Sequence, residues 1–204
     1  MAKHTQSIDY KVLSRIYGHK GGWVFTPSHF LDLGTRTAIA AALARHRKAG
    51  RIRKLARGLY HLPIDHPTLG RIPPSADAIG RALAHRDAVR LQPTGAYAAN
   101  LLGLSEQVPA RVEFLTDGAS RRVRVGTRDI VLKRTTPKNV ATAGTKSGTV
   151  IQALRWLGPK QVDERMLSIL RRQLSSAERQ RLKRDLVFAP AWIAEVLRRI
   201  AEER

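Results

Sequence analysis

Gly, Pro and Thr punctuate residues 18 to 58 so closely that only short elements fit between them. Gly18 ends an apolar-periodic stretch, Lys20-Gly21-Gly22 breaks the chain, and Thr26-Pro27 opens a new element. Gly34-Thr35 divides that element from the next, and Gly50 and Gly58 follow. Glycine takes the left-handed backbone that ends helices and makes tight turns, while proline suits a helix's first position. Ile8, Val12, Leu13 and Ile16 fall at helical spacing and predict a first amphipathic helix over 8 to 18. Trp23-Val24-Phe25 reads as a short strand, and a short second helix after Thr26 turns Phe30, Leu31 and Leu33 inward. Thr35 caps a third helix running through Ala49, with Gly50 as its stop. Arg51 to Leu55 and Leu59 to Leu62 then form two strands joined at Ala56-Arg57-Gly58. Helix, helix, turn, helix and hairpin in this order predict a winged helix-turn-helix.

The third helix has the two faces that a recognition helix needs, one apolar and anchoring, the other able to enter a major groove. At 100° per residue, Ile39, Ala42, Leu43 and His46 cluster on one side. Thr37, Ala41, Ala44, Arg45 and Lys48 lie opposite. Alanines permit close approach to base edges, and Arg36, Thr37 and Arg45 can hydrogen-bond to bases or phosphates, arginine favouring guanine. Arg47 and Lys48 suit phosphate. The hairpin beside the helix adds Arg51, Arg53, Lys54 and Arg57. Through residue 70, twelve Lys and Arg face only Asp9, Asp32 and Asp65.

That imbalance extends along the chain: 37 Lys and Arg against 16 Asp and Glu give a formal charge of +21. A polyanion is the expected partner. Aromatic residues make up 5% of the chain, and Trp23, Phe25, Phe30 and Tyr60 suit core positions. RNA sites depend on aromatic stacking platforms, so double-stranded DNA is favoured over the alternative, an RNA-binding or ribosome-associated basic protein. Cysteine is absent, which excludes disulfides and thiolate zinc sites and fits a reducing compartment. No signal-peptide core and no run of about 18 apolar residues occurs, which places the chain in the cytoplasm and off the membrane.

Four prolines between Pro63 and Pro74 predict a linker at 67–74, separating a winged-helix domain at 1–66 from a second domain at 75–204. The second domain opens with a helix from Ser75 to about His85, a short apolar segment at Val89 to Leu91 and a helix from Thr94 to Leu102. Val112, Phe114, the alternating Arg122 to Val125, and Ile130 to Leu132 predict a small antiparallel sheet. Four helices close the chain, at Thr149 to Leu157, Asp163 to Leu174, Ser176 to Leu186 and Ala191 to Ala201, the third with a Ser175/Glu178 capping box. The expected class is therefore helix-rich α+β.

Catalytic and metal chemistry find little to work with. Glu113, Asp129 and Lys133 have some nuclease character, but the lysine follows the aspartate by four positions where two are wanted. Asp117 and Asp129 lack the Gly-Ser setting of a nucleotidyltransferase. No pair of the seven histidines has i, i+4 ligand spacing. Thr94-Gly95 and Gly103 lack the Gly-Lys-Ser/Thr of a phosphate loop. No enzyme activity, cofactor or metal is expected. The basic helices carrying Arg171, Arg172, Arg179, Arg181, Lys183 and Arg184 read as a solvated face, a second nucleic-acid surface or a docking face for an acidic partner.

Three stretches carry a family resemblance: Gly22-Trp23-Val24-Phe25-Thr26-Pro27, Phe30-Leu31-Asp32-Leu33-Gly34-Thr35-Arg36, and Gly50-Arg51-Ile52-Arg53-Lys54-Leu55-Ala56-Arg57-Gly58-Leu59-Tyr60. They resemble the AbiEi-type antitoxins of type IV toxin–antitoxin systems, in the DUF6088-like branch with an N-terminal winged helix. Pro93-Thr94-Gly95-Ala96-Tyr97-Ala98-Ala99-Asn100-Leu101-Leu102-Gly103-Leu104-Ser105 is similar to the motif opening that family's C-terminal domain. The resemblance implies a bacterial, nucleoid-associated autorepressor that binds promoter repeats through its N-terminal domain. It implies too that the C-terminal domain counters a nucleotidyltransferase-like toxin without a stable complex. The DNA contacts it implies fall on Thr35, Arg36, Thr37 and Arg45 of the third helix and on Arg51, Arg53, Lys54 and Arg57 of the wing, to which the residue reading above adds Lys48.

Overall fold

The structure, a computed structural model, describes residues 7–202. The chain is a helix-rich α+β protein with eight α-helices and nine short strands among the described residues. It divides into two compact units, residues 1–89 with 123–127, and residues 90–122 with 128–204.

In the first unit, Ser7 caps helix α1 (Ile8–Gly18) by accepting the Tyr10 N–H, and Val12 and Ile16 face inward. Strand β1 (Val24–Phe25) follows. The expected second helix is a single 3-10 turn, Pro27–Phe30. In such a turn side chains three apart align, so Phe30 is buried and Leu33 half-buried while Leu31, expected inside, is 42% exposed. The seven residues between Thr26 and Gly34 leave too few i→i+4 bonds to favour an α-helix.

Helix α2 (Arg36–Lys48) starts where Thr35 Oγ1 accepts the Ala38 N–H at 3.3 Å. It ends in a Schellman motif: Gly50 takes φ +72°, its N–H bonds the Arg47 carbonyl, and the Arg51 N–H bonds that of His46. Strands β2 (Arg53–Ala56) and β3 (Leu59–His61) form the wing around Gly58. They pair antiparallel with a bulge between Lys54 and Ala56, and β1 adds to the far edge of β3. Val12, Ile16, Phe25, Phe30, Ile39, Ala42, Leu43 and Ile52 make one core under this sheet.

The expected linker is absent as such. Ile64–His66 (β4) pairs with Gly70–Ile72 (β5) in a hairpin, and Gly70 takes φ +66° beside its turn. The prolines sit at 63, 67, 73 and 74, outside both strands, where no ladder N–H is missed. Helix α3 (Ala76–Asp87), expected to open the second domain, belongs to the first unit and packs on β1 and the 3-10 turn.

The second unit comprises β6 (Leu91–Pro93), α4 (Gly95–Leu101), β7 (Arg111–Thr116), the first two residues of β8 (Arg121–Val125), β9 (Arg128–Arg134) and helices α5 (Lys146–Leu157), α6 (Glu164–Gln173), α7 (Ser176–Asp185) and α8 (Ala191–Ala201). Its sheet runs β6-β7-β9-β8. It is mixed rather than antiparallel, because β7 and β9 pair parallel from Arg111↔Asp129 to Thr116↔Arg134. Ile130, Val131 and Leu132 are buried in succession, the pattern of an interior strand covered on both faces. Apolar side chains of α4 to α8 form a separate core that includes Val150, Leu154, Leu167, Leu170, Ile193 and Leu197.

Candidate nucleic-acid interface

The turn that leads into α2 is fixed from below by Arg15 of α1. Its guanidinium donates to both Asp32 carboxylate oxygens and to the His29 carbonyl, each at 2.7 Å. Bidentate pairing of this kind sets orientation as well as energy. It also holds the Asp32 carboxyl below its usual range. Arg15 is thus occupied within the unit, and α2 leaves a rigid corner.

On α2, Ile39, Ala42, Leu43 and His46 are buried, the anchoring face expected. Thr35, Arg36, Thr37, Ala41, Ala44 and Lys48 are exposed. The exposed face therefore has small side chains at its middle and cations at its ends. Arg36, Arg47 and Lys48 form no ion pair among the described residues, nor do Arg53, Lys54 and Arg57 of the wing. Unneutralised cations beside an unobstructed helix supply both phosphate attraction and access to base edges.

Two of the nine candidate residues are placed differently. Arg45 turns toward α1, where its Nε and Nη2 each lie 2.9 Å from Asp9 Oδ1. Arg51 folds back so that its Nη1 reaches His46 Nδ1 at 3.3 Å. The buried His46 ring also meets the Asp9 carbonyl through Nε2 at 3.2 Å. Protonation at Nε2 satisfies both contacts, with the ring donating to Asp9 and accepting from Arg51. Asp9, His46, Arg45 and Arg51 therefore tie the start of α1 to the end of α2. The sequence carries no local sign of this, because Asp9 and Arg45 are 36 positions apart.

Behind the wing, His61 is buried opposite Arg53, and burial first, then the Arg53 charge, push its pKa down. In the second unit the carboxylates of Glu113, Asp129 and Asp117 are each neutralised by a neighbouring cation. Glu113 meets Arg111 at 3.1 Å and Lys133 at 2.7 Å. Asp129 meets Arg122 at 2.8 Å. Asp117 accepts from both the backbone and the side chain of Arg90 at 2.8 Å, which lowers its pKa. Among the described residues no three His, Asp or Glu side chains come together as a metal site.

The basic residues of the terminal helices serve packing in part. Arg171 donates to the Arg199 carbonyl at 2.7 Å, Arg179 to the Leu174 carbonyl at 3.2 Å, and Arg181 to Asp185 at 3.3 Å. Arg172, Lys183 and Arg184 remain exposed. No helix among the described residues is long and apolar enough to cross a membrane.

No curated protein matches the chain. A family model does, across residues 11–182, and so takes in most of α1, all of α2, the wing, the mixed sheet, α5 and α6, and most of α7. The chain therefore belongs to the DUF6088 family, a family of unknown function.

Proposed function

We propose that this protein is a sequence-specific double-stranded DNA-binding regulator that reads base edges with α2 and grips the backbone with its wing. The observation that carries this reading is the exposed face of α2. Thr37, Ala41, Ala44 and Lys48 stand clear of the core beside Arg53, Lys54 and Arg57 with no acidic partner. Phosphate neutralisation supplies most of the affinity in this arrangement, and the helix supplies the discrimination. The resemblance to AbiEi-type antitoxins extends the proposal to a bacterial autorepressor whose second unit counters a nucleotidyltransferase-like toxin. On that reading it acts on the nucleoid and is not an enzyme.

The test is a gel-shift titration on the DNA upstream of its own gene, against scrambled DNA and RNA, at two salt concentrations. Preference for the upstream DNA, lost in Arg36→Ala, supports the reading. Equal binding to all three nucleic acids refutes it. A nucleotidyltransferase-like reading frame beside the gene, whose toxicity is relieved by co-expression, tests the antitoxin half separately.

A further inference from the structure

We propose that the first unit also holds a binding site for a flat aromatic anion. A groove of about 790 Å³ runs between the loop following α1 and helix α3, with the β4–β5 hairpin as its third wall. That size lies within the range of small-molecule sites, roughly 300–1,000 Å³. Its floor is apolar, formed by Val24, Ile64, Ile72, Ala78 and Ala82.

Rings already stack along it. His19 lies flat on Trp23, with centroids 3.6 Å apart and planes at 13°. His85 lies on His29 at 3.7 Å and 24°. His29 and Trp23 meet edge to face, with centroids 5.5 Å apart, joining the two pairs into one aromatic ladder. Its outer members, His19 and His85, are exposed, so a further planar ring can extend the stack.

Charge selects the sign of the occupant. Lys20 and Arg81 line the groove and no carboxylate does. Asp77 pairs with Arg81 from outside the lining at 2.7 Å, whereas Lys20 has no ion pair among the described residues. An anionic substituent beside Lys20 completes what the apolar floor and the rings begin.

The groove is built before anything enters it. The Gly22 N–H bonds the Leu62 carbonyl, and the Leu62 N–H bonds that of Trp23, both at 2.9 Å. A Cβ at Gly21 or Gly22 comes within 2.9 Å of Ile64, so the loop backbone lies directly on the hairpin. A pre-organised wall lowers the cost of ordering on binding.

The experiment titrates the full chain with 2-naphthoate and, separately, with the uncharged 2-naphthalenemethanol, following the Trp23 indole N–H by NMR. We expect a saturable shift with naphthoate and a much weaker one with the alcohol. Lys20→Glu, on an exposed loop, should weaken naphthoate about fivefold, the factor one exposed charge contact is worth. Ala78→Phe fills the floor and should abolish the shift while the remaining resonances keep their dispersion. Equal affinity for the two probes, or naphthoate binding unchanged in Lys20→Glu, overturns the proposal even where Ala78→Phe disturbs the fold.

Discussion

Acidification toward pH 4 should remove part of the first unit's stability through one ring, that of His29. Its Nδ1 accepts the Thr26 N–H at 3.2 Å, and its face is stacked on His85. Burial, and after it the neighbouring charge of His85, bring its pKa from 6.5 to about 4. The unfolded ring therefore takes up its proton first as pH falls. The stabilisation is complete above about pH 6.5 and is lost progressively down to about pH 4, because over that window the unfolded state binds more protons. At about 1.4 kcal/mol per pKa unit the full displacement corresponds to about 3 kcal/mol. The ring is partly exposed, and solvent screening reduces this to about 1–2 kcal/mol.

The perturbation is His29→Gln, which keeps an acceptor for the Thr26 N–H at a position where glutamine is a favoured capping partner, and which does not titrate. Urea unfolding followed by tryptophan fluorescence, near pH 7 and near pH 4.5, gives the comparison. Wild type should lose about 1–2 kcal/mol more than the variant across that interval, with similar m-values. His61 also has a lowered pKa, from burial and then from Arg53, but it is present in both proteins and cancels. Parallel losses in the two proteins would falsify the assignment to His29.

Gly148→Ala should lower stability by about 1–3 kcal/mol or more, read by thermal unfolding. A Cβ there stands 2.2 Å from Gln92 Oε1 and 2.5 Å from the Thr142 backbone carbonyl, and the latter cannot step aside. Ala41→Glu, at an exposed site on α2, should leave the melting temperature within about 2 °C yet weaken DNA binding more than tenfold in a gel shift; unchanged binding excludes this face as the reader. Lys48→Ala and Arg57→Ala should each weaken binding to all sequences alike and reduce the slope of log K against log salt by about 1. Arg45→Ala should alter base preference less than Arg36→Ala, because Arg45 is held at 2.9 Å by Asp9; the reverse order in a binding-site selection would place Arg45 at the bases.

Local punctuation made the winged helix readable. Thr35 and Gly50 bracket α2 to within a residue of its expected ends, and the four residues expected on its inner face, three apolar and His46, are the ones that are buried. Ala191–Ala201 was likewise visible from its periodicity. The hairpin at 64–72 was hidden because each strand has three residues and offers one apolar side chain, Ile64 or Ile72, too few for an alternation to register. Helix α5 begins at Lys146, three residues earlier than its pattern indicates, since Gly148 and Thr149 are weak helix formers held there by the Thr145 cap. The parallel pairing of β7 with β9 and the Asp9–Arg45 tie are both non-local, and neither spacing nor propensity encodes a partner. Of the nine candidate contacts, the outward helical face points to Arg45 and the basic hairpin to Arg51, and only the packed geometry shows each already engaged.

On the proposed reading, helix α2 keeps its anchoring and its recognition on separate residues. Ile39, Ala42, Leu43 and His46 hold it in place, and Thr37, Ala41, Ala44 and Lys48 have no part in the core. Exposed substitutions of this kind usually change stability by no more than about 0.5 kcal/mol. The outward positions are thus free to drift under selection while the scaffold stays constant. A library randomised at those four sites should yield mostly folded proteins, and relatives that share this framework can diverge in what they recognise without passing through unstable intermediates.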